Sequence, residues 1–165
     1  MKIIKASFST SICITLLFSF SEIGSSQSWV QVGTISNPGN QPNISVVNSK
    51  DVWVADGEPD IPKIFRSSNA GVNWSMIPAP QGAKEIYALW AISRDGAFVG
   101  EGIVTGNARL FYTPDAGATW QVVAQSNPNQ GYFNGIVFSR KDTSYGFALA
   151  ERIFKTTNGG QNWTM

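Results

Sequence analysis

The sequence predicts an all-β chain assembled from repeated four-stranded antiparallel sheets. Three observations carry that expectation. First, "SSNAGVNW" (Ser67 to Trp74) returns as "TPDAGATW" (Thr113 to Trp120) and as "TTNGGQNW" (Thr156 to Trp163). Second, each copy follows short apolar stretches divided by turn residues, and helix-length amphipathic windows are scarce. Third, 16 Gly, 6 Trp and 10 Phe, with no His, suit a turn-rich β protein and argue against histidine chemistry. The copies are 46 residues apart from Phe65 to Phe111, then 43 from Phe111 to Phe154. A period in the forties fits one four-stranded propeller blade. The predicted fold class is therefore a β-propeller, incomplete at about three blades.

The first residues stand apart. "MKIIKASFSTSICITLLFSFSEIGSSQ" places Lys2 and Lys5 ahead of an apolar run from Ile12 to Phe20, then small residues at Gly24, Ser25 and Ser26. That order is a secretory signal, assigned to residues 1–26. The run is too short to span a membrane comfortably. The only cysteine, Cys13, lies within it, so the processed chain carries none and faces no disulfide mispairing outside the cytoplasm. Ile12 before Cys13 does not suit a lipoprotein cleavage box. Loss of Lys2, Lys5 and Glu22 leaves ten basic and ten acidic residues. A near-neutral chain, 14% charged and without a basic run, argues against a nucleic-acid-binding surface.

The propeller is assigned to residues 28–165. "SWVQVG" (Ser28 to Gly33) reads as an outer strand, with Trp29 in the place of a repeat tryptophan. Blade one, about 43–77, contains "NISVVN", "DVWVAD" and the hairpin "KIFRSSNAGVNWSMI". Blade two, about 85–123, contains "EIYALWAI", "AFVGEG" and "RLFYTPDAGATWQVV". Blade three, about 132–165, contains "YFNGIVFS", "SYGFALA" and "RIFKTTNGGQNWTM". "PAPQG" and "SNPNQG" supply Pro/Gly-rich surface links between them. After Trp163 only Thr164 and Met165 follow, where the earlier copies continue as "SMIPA" and "QVVAQ". An outer strand cut at its first residues leaves an open edge, so the chain is expected to be part of a longer protein.

Each repeat position has a physical task. Asn69, Asp115 and Asn158 can accept backbone N–H groups in the turn, and Ser67, Thr113 and Thr156 do so more weakly. Gly71, Gly117 and Gly160 supply a left-handed residue. Trp74, Trp120 and Trp163 offer apolar area for burial between sheets. Asp115 alone suggests a cation ligand. Neutral amides in the same slot of the other copies favour turn structure instead, so no metal and no cofactor are expected.

These phrases resemble the Asp-box, or BNR, repeat. The wider unit is similar to propellers of photosystem II assembly factors and sortilin-type domains. Sialidases and some secreted endoglucanases carry the same box. The resemblance implies a turn between the third and outer strands, away from the ligand face, so the box residues are structural. It also implies that a sialidase would need an arginine triad, which Arg66, Arg94, Arg109, Arg140 and Arg152 do not supply in the required places.

A catalytic set is not identifiable. "ADGEPDIPK" brings Asp56, Glu58 and Asp60 together, and Glu101 and Glu151 follow the second strands of later blades. Asp56 and Glu101 are the first pair to consider for divided acid and base roles. Tyr87, Trp90, Tyr132 and Phe133 are candidates for ligand contact, or for core. The expected function is a secreted, periplasmic or cell-surface propeller module. It would bind protein or carbohydrate at its face without catalysis and without stable membrane insertion. The alternative is part of an extracellular glycoside hydrolase.

Overall fold

The computed structural model describes residues 29–35, 42–57, 59–103, 106–127 and 131–165. The chain divides into two units, Met1–Gln31 and Val32–Met165. Of the first, only residues 29–31 are described. They carry no strand, and Trp29 is fully exposed. Residues 29–33 of the expected outer strand Ser28–Gly33 are not in strand, and Ser28 lies outside the described residues. The signal segment lies outside the described residues. Among the described residues no helix is long and apolar enough to cross a membrane.

The second unit is all-β. β1 (Asn43–Val46), β2 (Val52–Ala55), β3 (Ile64–Ser67) and β4 (Ser75–Ile77) form the first sheet. β5 (Glu85–Ala91), β6 (Ala97–Gly102), β7 (Arg109–Thr113) and β8 (Gln121–Gln125) form the second. β9 (Gly135–Phe138), β10 (Gly146–Leu149) and β11 (Ile153–Thr156) form the third, in which a Lys155–Thr164 bridge starts a fourth row. All neighbours within a sheet are antiparallel and in chain order. The sheets make an unclosed set of three blades, the third one strand short of the expected four.

Strand alternation positions the core. Trp53, Ala55 and Ile64 of the first sheet pack against Ile86, Leu89 and Val99 of the second. The opposite face of the second sheet presents Phe98 and Leu110 to Phe133, Phe138 and Phe154 of the third. Phe98 stacks on Phe138 at 5.0 Å and on Tyr112 at 4.6 Å. Each sheet thus supplies the second layer that its neighbour needs to bury an apolar face. β1, β5 and β9 lie side by side as the inner strands. Ser45 Oγ, buried, accepts the Ala91 N–H at 2.9 Å and ties the first two together.

Candidate functional site

The repeated turns close one end of every sheet, and their hydrogen bonds are the same three times. Ser67 Oγ accepts the N–H of Gly71 at 2.8 Å, as Thr113 Oγ1 does from Gly117 at 2.8 Å and Thr156 Oγ1 from Gly160 at 2.9 Å. Each hydroxyl donates to the next acidic or amide oxygen: Asn69 at 3.0 Å, Asp115 at 2.9 Å and Asn158 at 2.9 Å. Those oxygens accept the N–H of Asn73, Thr119 and Asn162. The hydroxyls are almost wholly buried, so they are the hubs of the turns, not the weaker members expected from their residue type.

Two features of these turns were not expected. Ala70 and Ala116 adopt left-handed backbone at φ 60° and 59°, directly before glycines at φ 83° and 86°. The third copy holds Gly159 there, at φ 69°. The N–H of that residue crosses to the turn between the first two strands of its own sheet: Ala70 to Lys50, Ala116 to Asp95 and Gly159 to Ser144. Trp74, Trp120 and Trp163 are half-buried; Trp120 packs against the cluster between the first two sheets, and Trp163 meets Phe98 and Phe138 edge-on between the second and third. Trp120 Nε1 donates to Pro78 O across to the preceding sheet. The wholly buried tryptophan is Trp53.

Asp115 is committed to its turn. Two hydrogen bonds from Thr119, side chain and backbone, hold its carboxyl below the ordinary carboxylate range, with a further one from Thr113. Among the described residues no group of three or more His, Cys, Asp or Glu side chains is placed to hold a metal ion.

The opposite end of the sheets carries the loops between second and third strands. There a cavity of about 450 Å³ is bordered by Asp60, Lys84, Glu85, Glu101, Asn107 and Arg109. Glu101, next to last in β6, has no exposed surface. Arg109 Nε and Nη2 grip its two oxygens at 2.7 Å each, and the Lys84 N–H donates at 2.9 Å. Arg109 Nη2 also donates to Gly82 O, fixing the link between the first two sheets. Glu101's hydrogen bonds hold the guanidinium protonated even above its ordinary range. Asp60 pairs with Lys84 at 2.9 Å on the surface and raises that ammonium's pKa.

Register explains the recurrence of this clasp. Val54, Val99 and Ala148 pair with Phe65, Phe111 and Phe154. Two residues on stand Asp56, Glu101 and Ala150. Asp56, likewise without exposed surface, lies 4.0 Å from Lys63 as Glu101 lies against Arg109. Asp56 and Glu101 are therefore equivalent acids of neighbouring sheets, each beside the cation of its own hairpin. Neither presents an open carboxylate to a substrate. Glu151 is not their equivalent; it is exposed and accepts the Asn127 N–H. Glu58 lies outside the described residues.

An aromatic pair flanks the cavity. The ladder of β5 shifts between Ile86 and Ala88, so Tyr87 is bulged out of alternation. Its ring meets Tyr132 edge-on at 5.1 Å. Gly102, which lines the cavity, lies beneath both rings, and a Cβ there would collide with Tyr87 and come within 2.7 Å of Tyr132. Burial raises the Tyr87 hydroxyl pKa, as does its hydrogen bond to Glu85. Phe133 is core, and Trp90 is half-buried against the same cluster; Tyr87 and Tyr132 lie against Gly102 at the edge of this site without lining the cavity. A second cavity of about 500 Å³ sits at the box end, among the ends of β1, β5 and β9.

No protein-family model and no curated protein matches the sequence. Solved structures match it in shape. YCF48 bound to D1 peptide superposes with a TM-score of 0.56 at 12% identity, over 74% of this chain and 38% of that one. An ancestral GH74 enzyme gives 0.56 at 19%, over 73% of this chain and 18% of that one. The GH74 xyloglucanase from Xanthomonas campestris gives 0.54 at 13%, over 73% and 22%. The chain spans well under half the length of each. The likeness is one of fold: three unclosed blades similar to part of the propellers of YCF48 and of the GH74 enzymes.

Proposed function

We propose that the chain is a set of blades from an extracellular, glycan-handling propeller of the glycoside-hydrolase kind. Its share of the work is to hold polysaccharide at the end opposite the box turns. The observation that carries this is the Tyr87–Tyr132 pair beside the polar cavity. Sugar rings bind where an aromatic face meets their C–H groups and polar side chains meet their hydroxyls. Tyr132, 37% exposed, supplies the first, and Glu85, Asn107 and the Asp60–Lys84 pair supply the second. The clasped Glu101 lines the cavity as part of its frame, not as an open carboxylate. The leader segment and the cysteine-free remainder support an extracellular location.

Affinity electrophoresis in xyloglucan, with a reducing-sugar assay in parallel, tests this. Retention by xyloglucan that falls about tenfold in Tyr132→Ala, the size of one lost stacking contact, is expected, without new reducing ends. Absence of retention, or retention indifferent to Tyr132→Ala, would overturn it.

One observation favours a second function, non-catalytic protein binding. The YCF48 structure, of which this chain covers 38%, is a complex with a peptide. Binding to an extended peptide in place of glycan, again sensitive to Tyr132→Ala, would select it.

A further inference from the structure

The sequence contains two Asn-Gly steps, Asn134–Gly135 and Asn158–Gly159. Such a step carries a reaction of its own, and asparagine is counted among the thermolabile residues. The backbone nitrogen after the asparagine attacks the side-chain amide, and glycine, having no Cβ, hinders that approach least. The fold treats the two steps differently. Asn158 is held: its Oδ1 accepts the Thr156 hydroxyl at 2.9 Å and the Asn162 N–H at 3.0 Å. The nitrogen that would attack it, that of Gly159, donates to Ser144 O at 2.9 Å, and Gly159 sits in left-handed backbone at φ 69°. Reaction there must give up these bonds, which close the end of the third sheet.

Asn134 is not held in this way. It is exposed, in the segment between Phe133 and β9, and its carboxamide makes no hydrogen bond among the described residues. Gly135 has open space on its Cβ side, where the nearest atom is Leu149 Cβ at 3.9 Å. The main chain around this step is tied to the candidate site. Phe133 N–H donates to Glu101 O at 3.0 Å, and Asn134 N–H donates to Leu149 O at 2.8 Å. Tyr132 forms a bridge with Gly102 just before them.

We infer that Asn134 is a site of non-enzymatic modification, deamidating through a succinimide, while the box turn protects Asn158. Gly135 N gives its proton to hydroxide and bonds to Asn134 Cγ; the Cγ–Nδ2 bond breaks and ammonia leaves. One water then opens the succinimide at either carbonyl, leaving aspartate or isoaspartate. Either product places a new carboxylate two residues from Tyr132. Isoaspartate also lengthens the main chain by one carbon at the start of β9, next to the Phe133–Glu101 bond. The modification is independent of what the site binds.

Incubation of the purified chain at mildly alkaline pH, followed by peptide mass mapping and an isoaspartyl methylation assay, tests this. Conversion of Asn134 to aspartate and isoaspartate is expected in the folded chain, with Asn158 intact. In urea both steps should convert at similar rates, which assigns the difference to the fold. Gly135→Ala, whose Cβ meets open space, should slow conversion at Asn134 by about tenfold or more. An intact Asn134, or equal conversion of the two steps in the folded chain, would overturn the inference. So would an Asn158 that stays slow in urea, since its turn would then not protect it, or a Gly135→Ala rate unchanged from that of the parent.

Discussion

Replacing Arg109 with Met keeps most of the side chain's aliphatic volume and removes its charge. Glu101 would then stand with no exposed surface, retaining one of its three hydrogen bonds, that from the Lys84 N–H. Removing one partner of a buried pair costs about 3–5 kcal/mol. Arg109 is 27% exposed, so water reaches part of the site, and about 2–3 kcal/mol is the better expectation. The same change severs the anchor to Gly82, so the link between the first two sheets should loosen with it. Urea unfolding followed by tryptophan fluorescence measures the loss. Arg66→Met is the control: its partner Asp95 is 56% exposed, and about 1 kcal/mol or less is expected. The double variant Glu101→Met with Arg109→Met should recover most of the stability, because no buried charge is left alone. An Arg109→Met loss no larger than that of Arg66→Met would refute the reasoning, since Glu101 would then be solvated.

Acid should weaken the second turn and not the others. Asp115 has a folded pKa below its ordinary 3.8, so its contribution is present above that value and is lost as pH falls through the lower folded one. In Asp115→Asn, matching Asn69 and Asn158, that part of the acid unfolding profile should vanish. Gly160→Ala forces a Cβ at φ 86° and into the Phe98 ring. A loss of about 2–4 kcal/mol, read as a lower Tm, is expected. Ala116→Gly relieves a left-handed alanine and should be neutral or stabilising by up to about 1 kcal/mol in the same melt. Phe98→Ala removes a ring with no exposed surface and should cost about 3–5 kcal/mol in urea unfolding.

The hairpins were legible in the sequence because their turn chemistry is local. A hydroxyl, an Asp or Asn and a glycine at fixed offsets specify the same hydrogen bonds wherever they occur. The left-handed Ala70 and Ala116 were harder to see, although Gly159 in the third copy is the signal for them. Burial was less legible, because it depends on which sheet face meets a neighbour. The box tryptophans Trp120 and Trp163 do pack against the clusters between sheets, but only half-buried, and it is Trp53, on a middle strand, that is wholly covered. The acids show the same limit. Counting along the chain places Glu151 beside Asp56 and Glu101, whereas strand register gives that position to Ala150. The Tyr87–Tyr132 contact needs a bulge and a distant loop, and neither is marked by a repeated residue.

The bond from each repeated turn to the neighbouring turn of its own sheet has a consequence for how the chain folds. Lys50 with Ala70, Asp95 with Ala116 and Ser144 with Gly159 are all close in sequence, so each sheet can fasten its end before its neighbours exist. Folding of such units starts at any one of them and spreads to the next, as in other stacked-repeat chains. The rate at which the chain acquires structure should therefore follow the best-formed single hairpin, while its resistance to unfolding follows the contacts between sheets.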